Sequence, residues 1–168
     1  MEFSEVVKAR RSIRRYQEGR TIPKEDLTKI VEYGMLAPNA AARRPWEFFV
    51  IEDREKLERV VMAHPNGSRL KKCSALIVVC GRKDWNQPMP EPFIPLDCAA
   101  AITTMLLTAC DMGYGASWLG AYPDEGKMAD LQDMLGTAGI PVGTVVLGYA
   151  AEAPAIRGRW EPEKVHFL

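Results

Sequence analysis

Gly113-Tyr114-Gly115-Ala116-Ser117-Trp118 has two of the three glycines of a dinucleotide-binding turn and a tryptophan where the third belongs. An indole there is too bulky for close helix–strand packing. The order of elements is also reversed. A helical run from Leu96 to Met112 precedes the glycines, and a short strand from Tyr114 to Leu119 follows them. A nucleotide fingerprint needs strand, then turn, then helix. No P-loop sequence is present either. The chain is therefore read as something other than a doubly wound nucleotide-binding domain, and a nicotinamide, if used, is not held in the usual way.

Outward from this stretch, the run Leu96–Met112 is rich in small residues: Ala99, Ala100, Ala101, Thr103, Thr104 and Ala109. Small side chains permit close helix approach, which suits the centre of a domain or a subunit seam. Downstream, Asp124 to Leu135 reads as an amphipathic helix stopped by Gly136, and Val142 to Tyr149 as a buried strand. Upstream, Leu76 to Cys80 is apolar on both faces, as expected of a doubly covered central strand. Asp53 opens a helix with Leu57, Val60 and Val61 inward, and Trp46 to Glu52 reads as a strand. Pro23 suits the first turn of a helix carrying Leu27, Ile30, Val31 and Met35, which Pro38 ends. Ser4 is the expected cap of a first helix reaching Ala9. Strands alternating with helices place helices on both faces of a central sheet.

Two segments stand apart. Asp84 to Pro95 holds Pro88, Pro90, Pro92 and Pro95, so regular structure is not expected there. Trp85, Met89 and Phe93 within it, together with Trp118, are candidate pocket walls for a flat ligand. The tail 151–168 has little with which to form its own core. Residues 1–150 are expected to form the core and 151–168 an arm lying on that core or on a second subunit.

The 168 residues include 22 basic and 22 acidic side chains, which cancel. That balance argues against a general nucleic-acid or membrane-surface binder. The N-terminus MEFSEVVKARR has no apolar signal segment, and apolar stretches such as Ala75 to Cys80 are too short to span a bilayer. A cytoplasmic location is expected. Cys73, Cys80, Cys98 and Cys110 show no C-x-x-C spacing, and only His64 and His166 accompany them, so no zinc pattern can be written. Small buried thiols in a reducing compartment are expected.

Against this neutral background, five cations crowd eight positions: Lys8, Arg10, Arg11, Arg14 and Arg15, with Ser12 in their midst. Arg157 and Arg159, two apart, point the same way on an extended tail. Guanidinium groups grip phosphate through paired, charge-assisted hydrogen bonds, and a hydroxyl with nearby backbone N–H groups adds directional donors. The clusters suggest one doubly charged phosphate held by both chain ends. Neither Ser12 nor Ser117 has a histidine beside it in sequence, so hydrolytic chemistry has no obvious nucleophile–base pair. With few titratable candidates, the chemistry would come from a bound cofactor.

Three places together are recognisable: Arg10-Arg11-Ser12-Ile13-Arg14-Arg15-Tyr16 followed by Ile22-Pro23; Ala37-Pro38-Asn39 running on to Arg44-Pro45-Trp46; and Gly113-Tyr114-Gly115 with Trp118-Leu119-Gly120, closed by Arg157-Gly158-Arg159 and Val165-His166. In order and spacing the chain resembles the FMN-dependent nitroreductase family over nearly its whole length. The resemblance implies an α+β fold, a three-layer α-β-α sandwich with a central mixed, mainly antiparallel sheet, in an intertwined homodimer with FMN at each subunit interface. By the same likeness Arg10, Arg11, Ser12 and Arg14, with Arg157 and Arg159, would hold the phosphate and ribityl end. Pro38 and Asn39 would border the ring, and Leu119 and Gly120 would offer backbone contacts near its reactive edge. No catalytic side chain is implied. NAD(P)H would reduce the flavin and leave, and a nitroaromatic, quinone or similar flat electrophile would take its place. The family often has Ser, Asn and Gln before Pro-Trp, where this chain has Asn39, Ala42 and Arg44. A cation at Arg44 would stabilise an anionic reduced flavin by Coulomb attraction. Other readings stay open: a flavin-binding module without turnover, a relative performing dehalogenation or flavin cleavage, and a nucleic-acid binder using the Lys8–Arg15 cluster.

Overall fold

The computed structural model describes residues 1–65, 67–85, 91–155, 158 and 160–168. Its centre is a four-stranded sheet of β1 (Trp46–Ile51), β2 (Ala75–Gly81), β3 (Gly115–Gly120) and β4 (Ile140–Gly148), in the order β1-β2-β4-β3. Every ladder is antiparallel, and the parallel component is an isolated bridge between Ser12 and Ala116. β2 and β4 lie inside, which explains why both read as continuous apolar runs: β2 is buried at all seven positions.

Period-two alternation divides the strand residues between two cores. Ala75, Ile77, Val79, Val145, Leu147 and Ala116 pack against α2 (Lys24–Gly34) and α5 (Phe93–Asp111). Leu76, Val78, Cys80, Val146 and Leu119 pack on the other face, against Leu57 and Val61 of α3 (Arg54–Met62) and Leu70 of α4 (Gly67–Leu70). Leu131, Met134 and Leu135 of α6 (Glu125–Leu135) cover that second core. A register shift between Val79 and Cys80 re-phases β4, so Val142 joins the α2/α5 side. Pro141 sits at this bulge, where a missing N–H disrupts the ladder least.

Helix ends follow local chemistry. The Asp53 and Asp124 side chains accept the backbone N–H groups of Lys56 (3.0 Å) and Lys127 (3.1 Å), and Gly136 closes α6 in the left-handed region at φ 64°. Four expectations are corrected. α1 (Phe3–Ala9) is capped by Glu2, not Ser4, through a reciprocal box with Glu5. α2 ends at Gly34, before Pro38, with Pro23 just outside its first turn. α4 was not anticipated. α5 begins at Phe93, inside the proline-rich segment, because Pro92 caps it and Pro95 falls in the first turn, where no intrahelical donor is lost.

α5 is also long and apolar enough to cross a membrane by length and composition. Here it is a core helix, with Ile94, Cys98, Ala101, Ile102, Met105 and Ala109 fully buried. The sheet approaches it closely: a Cβ at Gly81 would stand 1.9 Å from Ile94 Cγ2.

The N-terminal arm between α1 and α2 is sewn to the sheet. Ile13 N–H donates to Ala116 O, Gln17 N–H to Tyr149 O, and Ala151 N–H to Arg15 O, each at 2.9 Å. The buried Tyr16 hydroxyl donates to Ile13 O at 2.6 Å. The two chain ends therefore meet at the β3/β4 side of the molecule. Beyond Ala155 the described tail is largely exposed, with Trp160, Phe167 and Leu168 bare.

Candidate functional site

The arm delivers the arginines to a cavity. Arg11, Ser12, Arg14 and Arg15 line a space of ≈ 330 Å³ together with Arg69 from α4 and Glu152, Pro154 and Ala155 from the tail. Ser12 is fixed there by its bridge to Ala116 and by the neighbouring Ile13–Ala116 bond. Arg11 Nε donates to Ala155 O at 3.2 Å, tying arm to tail. Glu152 Oε1 accepts the backbone N–H groups of Arg14 at 2.6 Å and Arg15 at 3.2 Å. Four guanidiniums and a hydroxyl around one space form a donor set suited to a phosphate dianion.

Arg10 turns elsewhere. It lines an adjoining cavity of ≈ 260 Å³ with Cys110, Tyr114, Gly115 and Ala153, and that cavity shares Arg11 and Pro154 with the first.

A third cavity, ≈ 160 Å³, lies between α3, α6 and β3. Leu119, Gly120, Ala121, Val60, Leu131 and Met134 make it mainly apolar, with His64, Arg59, Lys127 and Asp130 also lining it. His64 titrates below its ordinary value, first because burial disfavours the imidazolium and then because Lys127 and Arg14 repel it. Both cavities border β3: Ser12 of the cationic one is bridged to Ala116, on the strand that carries Leu119 of the apolar one. The pair is polar and cationic at one end and mainly apolar at the other.

The loop before β1 is held from α5. Asp97, only 6% exposed, accepts the Ala40 N–H at 3.0 Å through Oδ1. Asn39 Oδ1 accepts the Arg44 N–H at 2.8 Å. Between these two pins Ala41, Ala42 and Arg44 adopt left-handed backbone, with φ of 52°, 55° and 51°. Such values cost non-glycine residues energy and persist where surroundings impose them.

Of the residues expected from sequence, the structure brings Arg11, Ser12 and Arg14 together in one cavity and Leu119 and Gly120 in the neighbouring one. Pro38 and Arg44 are exposed and Asn39 half-buried on their loop, and none of the three lines these cavities. Trp85, Phe93 and Trp118 are part-exposed and likewise stand outside them. β3 alternation explains Trp118: it points to the face opposite Leu119. Met89, Arg157 and Arg159 lie outside the described residues.

Three residues were missed. Arg69 sits in an unremarkable polar stretch, and only the turn of α4 aims it at the arm. Glu152 belongs to the arm 151–168, where no local pattern marks it. Asp97 does carry a signal, a carboxylate in the first half of an otherwise apolar helix. Among the described residues no cluster of metal-ligating side chains occurs.

Known proteins share the sequence pattern and the fold of this chain. The model of the nitroreductase family matches residues 7–67 and 59–149. A Methanothermobacter thermautotrophicus protein named "Putative NADH dehydrogenase/NAD(P)H nitroreductase" is 36% identical over 99% of this chain and 86% of its own length. A crystal structure of a protein of that name from Parabacteroides distasonis superposes with TM-score 0.91 at 30% identity, covering 99% of this chain and 98% of that one. An FMN-dependent nitroreductase from Clostridium difficile superposes with TM-score 0.85 at 27% identity, covering 96% of each chain.

Proposed function

Since this chain belongs to the nitroreductase family, we propose that it binds FMN and uses NAD(P)H to reduce flat electrophiles such as nitroaromatics or quinones. The observation that carries the reading is the cavity in which Arg11, Ser12, Arg14, Arg15 and Arg69 converge, next to an apolar cleft bordered by Leu119 and Gly120. A mononucleotide has that polarity, with a dianion at one end and a flat, largely apolar ring at the other.

In this reading Ser12, Arg11, Arg14 and Arg15 bind and orient the phosphate and ribityl chain, Arg157 and Arg159 would add to the same end, and Arg10 serves the adjoining cavity instead. Arg69 is added to that set. The backbone of Leu119 and Gly120 borders the ring. Bound there, FMN would supply the two-electron redox chemistry linking NAD(P)H to the acceptor. The protein's own work is orientation and electrostatics. Burial and then the cations Lys127 and Arg14 disfavour the charged form of His64, which limits the charge it adds beside the ring end.

The working unit is proposed to be a homodimer. Phe3, Leu36, Leu96, Trp160 and Phe167 are exposed apolar side chains that a second copy would cover. Pro38, Asn39 and Arg44 would reach the ring across the subunit interface, Trp85, Met89, Phe93 and Trp118 would wall the acceptor site, and the arm 151–168 would lie on the second subunit. Buried, unpaired Cys73, Cys80 and Cys98 suit a reducing cytoplasm.

The test is optical. Purified or FMN-reconstituted protein is expected to be yellow, to bleach on mixing with NADPH or NADH, and to recolour with menadione. Colour without bleaching leaves a flavin-binding module without turnover. A colourless protein that takes up no FMN overturns the reading. Arg69→Ala is expected to weaken FMN binding by roughly tenfold, the scale of one charge-assisted contact.

A further inference from the structure

Glu152 stands inside the cavity that the phosphate of the proposed cofactor would enter. It is half-buried there, and one oxygen accepts two consecutive backbone N–H groups, from Arg14 at 2.6 Å and Arg15 at 3.2 Å. Successive backbone amides aimed at one anionic oxygen are the arrangement with which proteins hold phosphate. Here a side chain of the same chain occupies those donors.

This has two physical consequences. The first is shape. Ile13 is bonded to Ala116 and Tyr16 is bridged to Ala150, so Arg14 and Arg15 form the span between two fixed points. The Glu152 bond fixes that span and with it the origins of two guanidiniums. The second is charge. One carboxylate sits among the cations of Arg11, Arg14, Arg15 and Arg69 and opposes any second anion brought to them.

We propose that Glu152 is a positioning residue that also sets cofactor affinity: its oxygen shapes the Arg14–Arg15 backbone, while its charge holds down the affinity for the phosphate of FMN and keeps the mononucleotide exchangeable. The inference rests on the FMN reading above and adds a residue that the reading does not contain.

Glu152→Gln keeps an oxygen able to accept both N–H groups and removes the charge. The quantity to measure is the ratio of the riboflavin to the FMN dissociation constant, by quenching of flavin fluorescence, because that ratio isolates the phosphate. It is expected to rise by about tenfold in Glu152→Gln, the scale of one partly screened charge, and the rise is expected to shrink as salt is added. Glu152→Asp, which keeps the charge, is expected to show no rise. Should the glutamine variant fail to fold, Glu152→Ala serves, and its ratio is likewise expected to exceed the parent's. A purely structural role predicts the opposite, since loosening the cap lowers the ratio or leaves it unchanged. Parent protein that binds FMN, with neutral variants showing no rise, overturns this inference alone. Parent protein that binds no FMN removes both this inference and the function it rests on.

Discussion

The indole of Trp118 lies across Gly143 on the neighbouring strand: a Cβ at Gly143 would stand 2.1 Å from Trp118 Nε1 and 3.0 Å from the Leu119 carbonyl oxygen. Trp118 pairs directly with Val145, so its ring leans diagonally by two residues and covers bare backbone. Gly143→Ala is expected to push the indole away and to destabilise the fold by about 1–3 kcal/mol, as overpacking does. Once Trp118→Ala has been made, the same change is expected to cost less. Denaturant melts of the four proteins in that cycle read the coupling. Simple additivity would show that the ring and the glycine do not constrain each other.

Tyr16 fastens the arginine-bearing arm to the sheet. Its hydroxyl donates to Ile13 O at 2.6 Å and lies 3.3 Å from both Ser117 Oγ and Val146 O. Tyr16→Phe leaves buried acceptors without their donor, at a cost of about 1–2 kcal/mol. FMN affinity is expected to fall with it, because Ser12 and Arg14 lose a fixed base. A variant that melts lower yet binds FMN as tightly as the parent would separate the arm's stability from its role in the site.

His64 makes stability depend on pH in the acid range. Burial, then Lys127 and Arg14, hold its folded pKa below the ordinary 6.5. Between the folded and ordinary values the unfolded chain therefore binds more protons, and stability declines as pH drops below about 6.5. Above that pH His64 is neutral in both states and contributes no slope. Thermal melts from pH 7.5 to 5.0 are expected to show a shallower acid decline in His64→Gln than in the parent. Parallel curves would assign the decline to other groups.

Arg44 projects from a left-handed loop position and is exposed, with no carboxylate partner among the described residues. In the proposed dimer its charge is available to the reduced, anionic ring. Arg44→Ala is expected to lower the flavin midpoint potential by roughly 30 mV, which is about 1.4 kcal/mol for a two-electron couple. Dye-equilibrated reductive titration measures it, and an unchanged potential dismisses the role.

Much of this was legible in the chain itself. The helices around Leu27, Leu57 and Leu131 and the strands around Ile77 and Val145 announce themselves through period, caps and unbroken apolar runs, which act between near neighbours. The Arg10–Arg15 cluster and the failed dinucleotide turn at Gly113–Trp118 are likewise local. Proline positions misled at Phe93–Pro95, because a first helical turn tolerates what a strand or a helix interior rejects.

The order of the longer elements, the two apolar faces of the sheet and the concentration of cations near the N-terminus are properties of the sequence alone, since each depends on residues a few positions apart. Tertiary structure decided which cations share a cavity, that Arg69 and Glu152 join them, that Arg10 turns away, and that Leu119 and Trp118 look to opposite sides. Those outcomes depend on contacts such as Ser12 with Ala116, 104 positions apart in the chain. No local propensity encodes them; the close-packed burial of the sheet's two faces brings such distant segments into register.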